Sequence, residues 1–95
     1  MSAYLVVEVD VKDPERYADY RVMVPPTLEP YGGKFLVRGG AVETLEGKWQ
    51  PSRVVVIEFD SVELAKRWWD SDEYRAARDL RQATAETKMI VVEGV

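Results

Sequence analysis

The chain has 95 residues, 46% of them hydrophobic and 32% charged, and a formal net charge of −4. This is an ordinary globular composition and enough chain for one core, so residues 1–95 are expected to form a single domain. Cysteine and histidine are both absent, which excludes disulfides, thiolate nucleophiles, zinc sites and histidine-ligated haem. No acidic loop has the spacing of a carboxylate metal site, so neither metal nor cofactor is expected. Excess negative charge disfavours nucleic acid and anionic membrane surfaces as partners. The longest aliphatic run, Val54–Ile57, is far too short to span a bilayer. Met1–Asp10 lacks the basic region of a signal peptide, which makes the cytoplasm the expected location.

In chain order, Ala3–Val11 alternates as a strand, with Leu5, Val7, Val9 and Val11 on one face and Tyr4, Val6, Glu8 and Asp10 on the other. Asp13-Pro14-Glu15 reads as a helix start, with an acidic N-cap, a proline in the first turn and a glutamate favoured by the helix dipole. Tyr17, Tyr20, Arg21 and Val24 follow at helical spacing. Pro25-Pro26 is expected to interrupt that helix and to open a second short one ending near Tyr31, with Gly32 as C-cap. Lys34–Arg38 is a second strand, ended or bulged at Gly39-Gly40. Leu45–Ser52 reads as a long hairpin loop. Arg53–Phe59 is the clearest strand, with Val55, Ile57 and Phe59 on one face and Val54, Val56 and Glu58 on the other. Asp60 and Glu63 match an acidic capping box, with Ser61 the alternative cap. A helix over Val62–Asp70 then groups Val62, Ala65, Trp68 and Trp69. Ser71-Asp72 restarts a helix to about Ala83, and Lys88–Glu93 is the last strand.

This order, β-α-β-β-α-β, predicts an α+β fold of ferredoxin-like type: a split sheet with its helices on one face and the first and third strands central. The helix-free face would then carry Tyr4, Val6, Leu36, Val54, Val56, Met89 and Val91. That is an apolar patch on the order of several hundred Å², large for a monomer. At ~25 cal/mol per Å² its burial contributes several kcal/mol, so a homodimer pairing these faces is expected.

On the same face the alternation places Glu8, Arg38 and Glu58, with Glu93 at the margin. A carboxylate there must be paired, neutral or wet. Arg38 is a bidentate partner for Glu58 if the hairpin register sets them opposite. Close approach of Glu8 and Glu58 would raise one carboxyl pKa, which makes these two the candidate general acid or base. An ion-pair cluster that fixes dimer register is the competing reading. On the later helix Tyr74, Arg78 and Arg81 share a face with Ala77; Arg81 and Arg38 are candidate holders of an anionic ligand, with Tyr74 as hydroxyl donor. Trp68 and Trp69 read as core. Trp49, in a loop, needs a covering surface and is a candidate for a pocket mouth or a subunit contact.

Several segments carry a family resemblance: Gly32-Gly33-Lys34-Phe35-Leu36-Val37-Arg38-Gly39-Gly40, Leu45-Glu46-Gly47, Arg53–Phe59, Ser61 with Ala65–Trp69, and Ser71-Asp72-Glu73-Tyr74. Together they resemble the family known as domain of unknown function 1330, over nearly the whole chain. Asp60 departs from the proline common in the family at that point, which alters helix capping only. The resemblance implies a ferredoxin-like fold in the dimeric α/β-barrel superfamily. Relatives in that superfamily include cofactor-free monooxygenases, small-molecule isomerases and ligand-sensing domains. It implies no catalytic role for any residue. Arg38, Glu58, Tyr74 and Arg81 match positions typical of the family's motifs.

Three functions stand open on this reading. The first is a metal-free, cofactor-independent enzyme acting on a small anionic or aromatic molecule. The second is a dimer that binds or senses such a ligand without catalysis, and the third is a structural interaction dimer.

Overall fold

In the computed structural model, which describes residues 1–95, the chain runs β1 (Ala3–Val11), α1 (Pro14–Leu28), β2 (Lys34–Arg38), β3 (Arg53–Phe59), α2 (Val62–Trp69), α3 (Asp72–Thr84) and β4 (Ala85–Glu93). The strands form one antiparallel sheet in the order β2-β3-β1-β4. This is the ferredoxin-like arrangement, and its two central strands are the two with the strongest apolar alternation. Leu5, Val7 and Val9 of β1 and Val55, Ile57 and Phe59 of β3 are buried beneath the helices. From the other side Tyr17, Tyr20, Val24 and Leu28 of α1, Trp68 of α2 and Tyr74 of α3 pack onto them.

Each helix begins on a side-chain cap. Asp13 accepts from the Arg16 N–H, Ser61 from Leu64 and Ser71 from Tyr74. Ser61, and not Asp60, therefore opens α2, satisfying one of the donors that every helix start leaves free.

The structure departs from the sequence reading at three places. First, Pro25 and Pro26 do not interrupt α1, which runs through them to Leu28 before a 3-10 turn at Glu29–Tyr31. Gly32 caps that turn at φ 69°, as expected. Second, the irregularity in β2 falls at Leu36 and not at the glycines: Phe35 pairs with Ile57, whereas Val37 pairs with Val56. A bulge consumes one residue without a partner, so every side chain beyond it changes face. Arg38 is thereby set opposite Val55, on the helix side, and Val37 faces outward. Third, β4 starts at Ala85, directly on the end of α3, and Val7 pairs with Met89 while Leu5 pairs with Val91. Met89 and Val91 thus face the helices with Val7 and Leu5, and Glu93, opposite Ala3, has the same parity. Lys88, Ile90 and Val92 occupy the open face instead.

The open face remains apolar with this altered membership. Tyr4, Val6, Val54 and Val56 are half-buried on it, and Val37, Ile90 and Val92 are exposed. Glu8 lies between Val54 and Lys88 in the register, and Glu58 between Tyr4 and Lys34. Glu8 and Glu58 therefore each have a lysine on a neighbouring strand, whereas Asp10 and Glu86, farther along the same face, stand opposite one another.

Candidate functional site

The site grows from a defect in α1. A proline has no N–H to give the carbonyl four residues earlier. Pro25 therefore leaves the Arg21 carbonyl without its helical donor. The Arg38 guanidinium supplies that donor, with Nη2 2.6 Å from the Arg21 oxygen. The cation is stacked 4.3 Å from the centre of the Phe35 ring. Burial, then the nearby Arg21 and Arg53 cations, hold the Arg38 pKa below its ordinary value.

Arg53 opens β3 with the parity of Val55 and Ile57, so its side chain also enters the helix-side layer. It approaches the Tyr17 ring to 5.7 Å, and its Nε is buried with no hydrogen-bond partner. Room for its guanidinium comes from Gly39, where any Cβ would overlap it. Gly39 also sits at φ 75° while donating its N–H to the Val54 carbonyl at 2.9 Å. Glycine is needed there on both counts.

The third cation comes from α3. Arg81 is 3% exposed. Its Nε donates to the Tyr74 hydroxyl at 3.2 Å, and Nη1 donates to Thr87 Oγ1. The Tyr74 hydroxyl lies 2.8 Å from that of Tyr20 on α1. The Tyr74 ring, fully buried, stacks on Trp68 with centroids 3.9 Å apart. Trp68 is held in turn by an Nε1–H bond to Thr27 Oγ1 at 3.0 Å.

Arg38, Arg53 and Arg81 line one cavity of about 30 Å³ between α1 and the sheet, with Arg21 of α1 as a fourth cation and with Tyr17, Tyr20 and apolar side chains such as Val9, Phe35 and Met89. The four ion pairs of the chain all lie elsewhere, and none involves these arginines. Next to this cavity, beside β4, runs a larger groove of about 680 Å³; the two share Leu5, Arg81 and Met89. The arrangement can accept an anion, because guanidinium groups in an apolar setting offer strong, directional donors to a carboxylate.

The sequence candidates are distributed over both faces. Arg38 and Arg81 line the cavity, and Tyr74 stands behind it, linking Arg81 to Tyr20. Glu8 and Glu58 lie on the opposite side of the sheet from Arg38, so the Arg38–Glu58 pair does not form. Glu58 faces Tyr4 across the β1–β3 ladder, four residues from Glu8, which separates the two carboxylates by about 13 Å along the strand. The mutual coupling expected of them is therefore absent. Trp49, 64% exposed, lies in the β2–β3 connection and lines neither space. Arg78 turns to the surface, where it meets Asp70 and the Trp69 ring. Arg53, Tyr17 and Tyr20 were not singled out from the sequence as site residues. Arg53 had a signal: a charge in the apolar phase of β3.

No group of three or more carboxylates converges as a metal site would require. No helix is long and apolar enough to cross a membrane.

A model of the family described as "Domain of unknown function (DUF1330)" matches residues 2–95. No curated protein matches the chain in sequence. Among solved structures, a protein of unknown function from Rhodopseudomonas palustris is 22% identical, with a TM-score of 0.80 over 99% of this chain and 82% of the other. A protein from Jannaschia, described as dimeric, ferredoxin-like and of unknown function, is 12% identical, with a TM-score of 0.76 over 99% and 100%. SnoaB of Streptomyces nogalater, described as a cofactor-independent oxygenase, is 9% identical, with a TM-score of 0.61 over 99% and 93%.

The buried phenol chain has a measurable signature. Burial first, then the Tyr74 hydroxyl, push the Tyr20 pKa well above its ordinary value of 10.0. Below pH 10 folded and unfolded chains both keep this proton, and stability is unaffected. Above pH 10 the unfolded chain releases it while the folded chain retains it, so stability falls by about 1.4 kcal/mol per pH unit. Urea midpoints for the wild type and Tyr20→Phe between pH 9 and 11 should diverge, the variant losing less on the alkaline side. Parallel curves would show that Tyr20 ionises freely in the folded chain.

Proposed function

This chain belongs to the DUF1330 family, and from that premise we propose that it holds a small organic carboxylate between α1 and the sheet, without metal or cofactor. The carrying observation is that four arginines, Arg21, Arg38, Arg53 and Arg81, line one cavity, that none has a carboxylate partner, and that Arg81 among them is fully buried. A guanidinium withdrawn from water is costly unless compensated. Here Arg81 reaches only two hydroxyls, and the Arg53 Nε reaches nothing. An anion supplies the missing charge, and Val9, Phe35 and Met89 suit an apolar or aromatic body. About 30 Å³ holds little more than a water-sized probe, so a larger body extends toward the adjoining groove through Arg81.

The reading also includes a homodimer formed through the open sheet face. Support comes from the apolar membership of that face and from the description of the Jannaschia structure as dimeric.

A second reading, catalysis without a cofactor on the same class of molecule, is favoured by the Tyr20–Tyr74–Arg81 chain. Arg81 donates to Tyr74, which leaves the Tyr74 hydroxyl proton free for Tyr20 and the Tyr20 proton free for a bound molecule. SnoaB, with the same fold, is described as acting without a cofactor. Glu58 and Glu8, on the other side of the sheet, are acid–base candidates only for a molecule held between two paired sheets, and not for one held by Arg81.

Each part has its own test. In a panel of small carboxylates from formate to benzoate at pH 7, at least one should raise Tm, and Arg81→Met should abolish that shift. Without ligand, Arg81→Met should cost no more than about 1 kcal/mol, since an uncompensated buried cation gives way to an apolar side chain of similar length. A panel with no shift, or one unchanged in the variant, defeats the carboxylate reading. For the dimer, sedimentation at micromolar concentration should show a particle of twice the 10.9 kDa chain mass. Val56→Asp, which places a charge at the centre of the open face, should reduce it to one chain; a wild type already at one chain removes the dimer. For catalysis at the cavity, Tyr20→Phe should collapse turnover of a consumed carboxylate while its affinity survives, and Glu58→Gln should leave that turnover unchanged; a fully active Tyr20→Phe takes the phenol chain out of the chemistry.

A further inference from the structure

The connection between β2 and β3, residues 39–52, has no regular structure, and every residue from Gly39 to Gln50 is exposed. An irregular connection of this length is uncommon unless it has a task. It carries three exposed apolar side chains, Val42, Leu45 and Trp49, at 43%, 94% and 64% exposure. Its one internal side-chain hydrogen bond runs from Thr44 Oγ1 to the Trp49 carbonyl. Nothing in its own chain covers these groups.

At the far edge of the sheet lies a surface of matching character. β4 pairs only with β1, so its outer edge is free along Ala85–Glu93, and such edges invite another chain. Beside it the groove of about 680 Å³ presents Trp69, Met89 and Ile90 with the cations Lys66, Arg67 and Arg81. Asp70 is the one carboxylate in its lining. The connection carries the opposite balance, Glu43 and Glu46 against Lys48.

Symmetry brings the two together. When two copies of this sheet are stacked on their open faces about a two-fold axis parallel to the strands, β2 of one lies over β4 of the other. The connection that follows β2 then emerges at the groove beside the partner's β4.

We propose that residues 41–50 form an arm that lies along the groove of a second copy, with the partner's Trp49 across the mouth that leads to Arg81. The arm shields Val42 and Leu45, places its glutamates against Lys66 and Arg67, and covers the groove that shares Leu5, Arg81 and Met89 with the anion cavity. Each site in the dimer is then built from both chains. This rests on the face-to-face pairing proposed above and adds the choice of two-fold and the occupant of the groove.

The absence of cysteine makes the test direct. Leu45→Cys and Gln82→Cys, both at exposed positions, are co-expressed and oxidised. A disulfide-linked species of dimer mass should form in the co-expressed pair and in neither variant alone. If the variants sediment as dimers but form no mixed disulfide, the arm is wrong and the face-to-face pairing stands. If they sediment as single chains, the pairing fails and the arm fails with it.

Discussion

A cation taken out of water must be answered by a counter-charge or by enough acceptors, and in the helix-side layer of this fold Arg81 is fully buried while Arg38 and Arg53 are half-buried. Arg38 is accommodated because a proline in α1 leaves a carbonyl free at the right place. Arg81 is accommodated by a phenol and a threonine, and its charge remains uncompensated. Most of the surrounding architecture serves to hold these groups. Trp68 fixes Tyr74 by stacking, Thr27 fixes Trp68, and Gly39 clears the space that Arg53 occupies. A core built for stability alone would place apolar side chains at such positions, because buried ionic groups seldom add net stability. Arg81 stands against that tendency.

The two faces of the sheet divide the work. The helix side collects cations, phenols and apolar walls around a small space. The open side collects aliphatic residues with Glu8 and Glu58, each set beside a lysine on a neighbouring strand, and with Asp10 opposite Glu86. The bulge at Leu36 makes this division possible, since without it Arg38 would stand on the open face with Glu58. One unpaired residue decides on which face of the sheet Arg38 stands.

The sequence makes the architecture readable where side-chain period decides it. The alternation in β1 and β3 is nearly complete, and both the strand order and the central pair follow from it. It misleads where the deciding contact is distant. Pro25-Pro26 looks like a helix stop because the guanidinium that repairs the backbone comes from another strand. Ala85-Glu86-Thr87 falls between the expected helix and the expected strand because pairing with β1, not local propensity, makes it strand, and that pairing settles the face of Met89 and Val91. The site is legible in the same uneven way. Arg38, Tyr74 and Arg81 can be named from pattern, but their convergence depends on the bulge. Glu8 and Glu58 share a face as read, yet their distance along the ladder depends on a register that alternation does not supply. Arg53 is visible only once an arginine in an apolar phase is treated as a signal.

Thr84 ties three elements at one point. Its carbonyl accepts the N–H groups of Lys12 and Asp13, at 2.8 and 3.0 Å, just where β1 passes into α1, and the next residue begins β4. The first turn of α1, the last of α3 and the edge strand are thus riveted together. Any displacement of the end of α3, which carries Arg81, is passed at once to the start of α1 and to the edge strand.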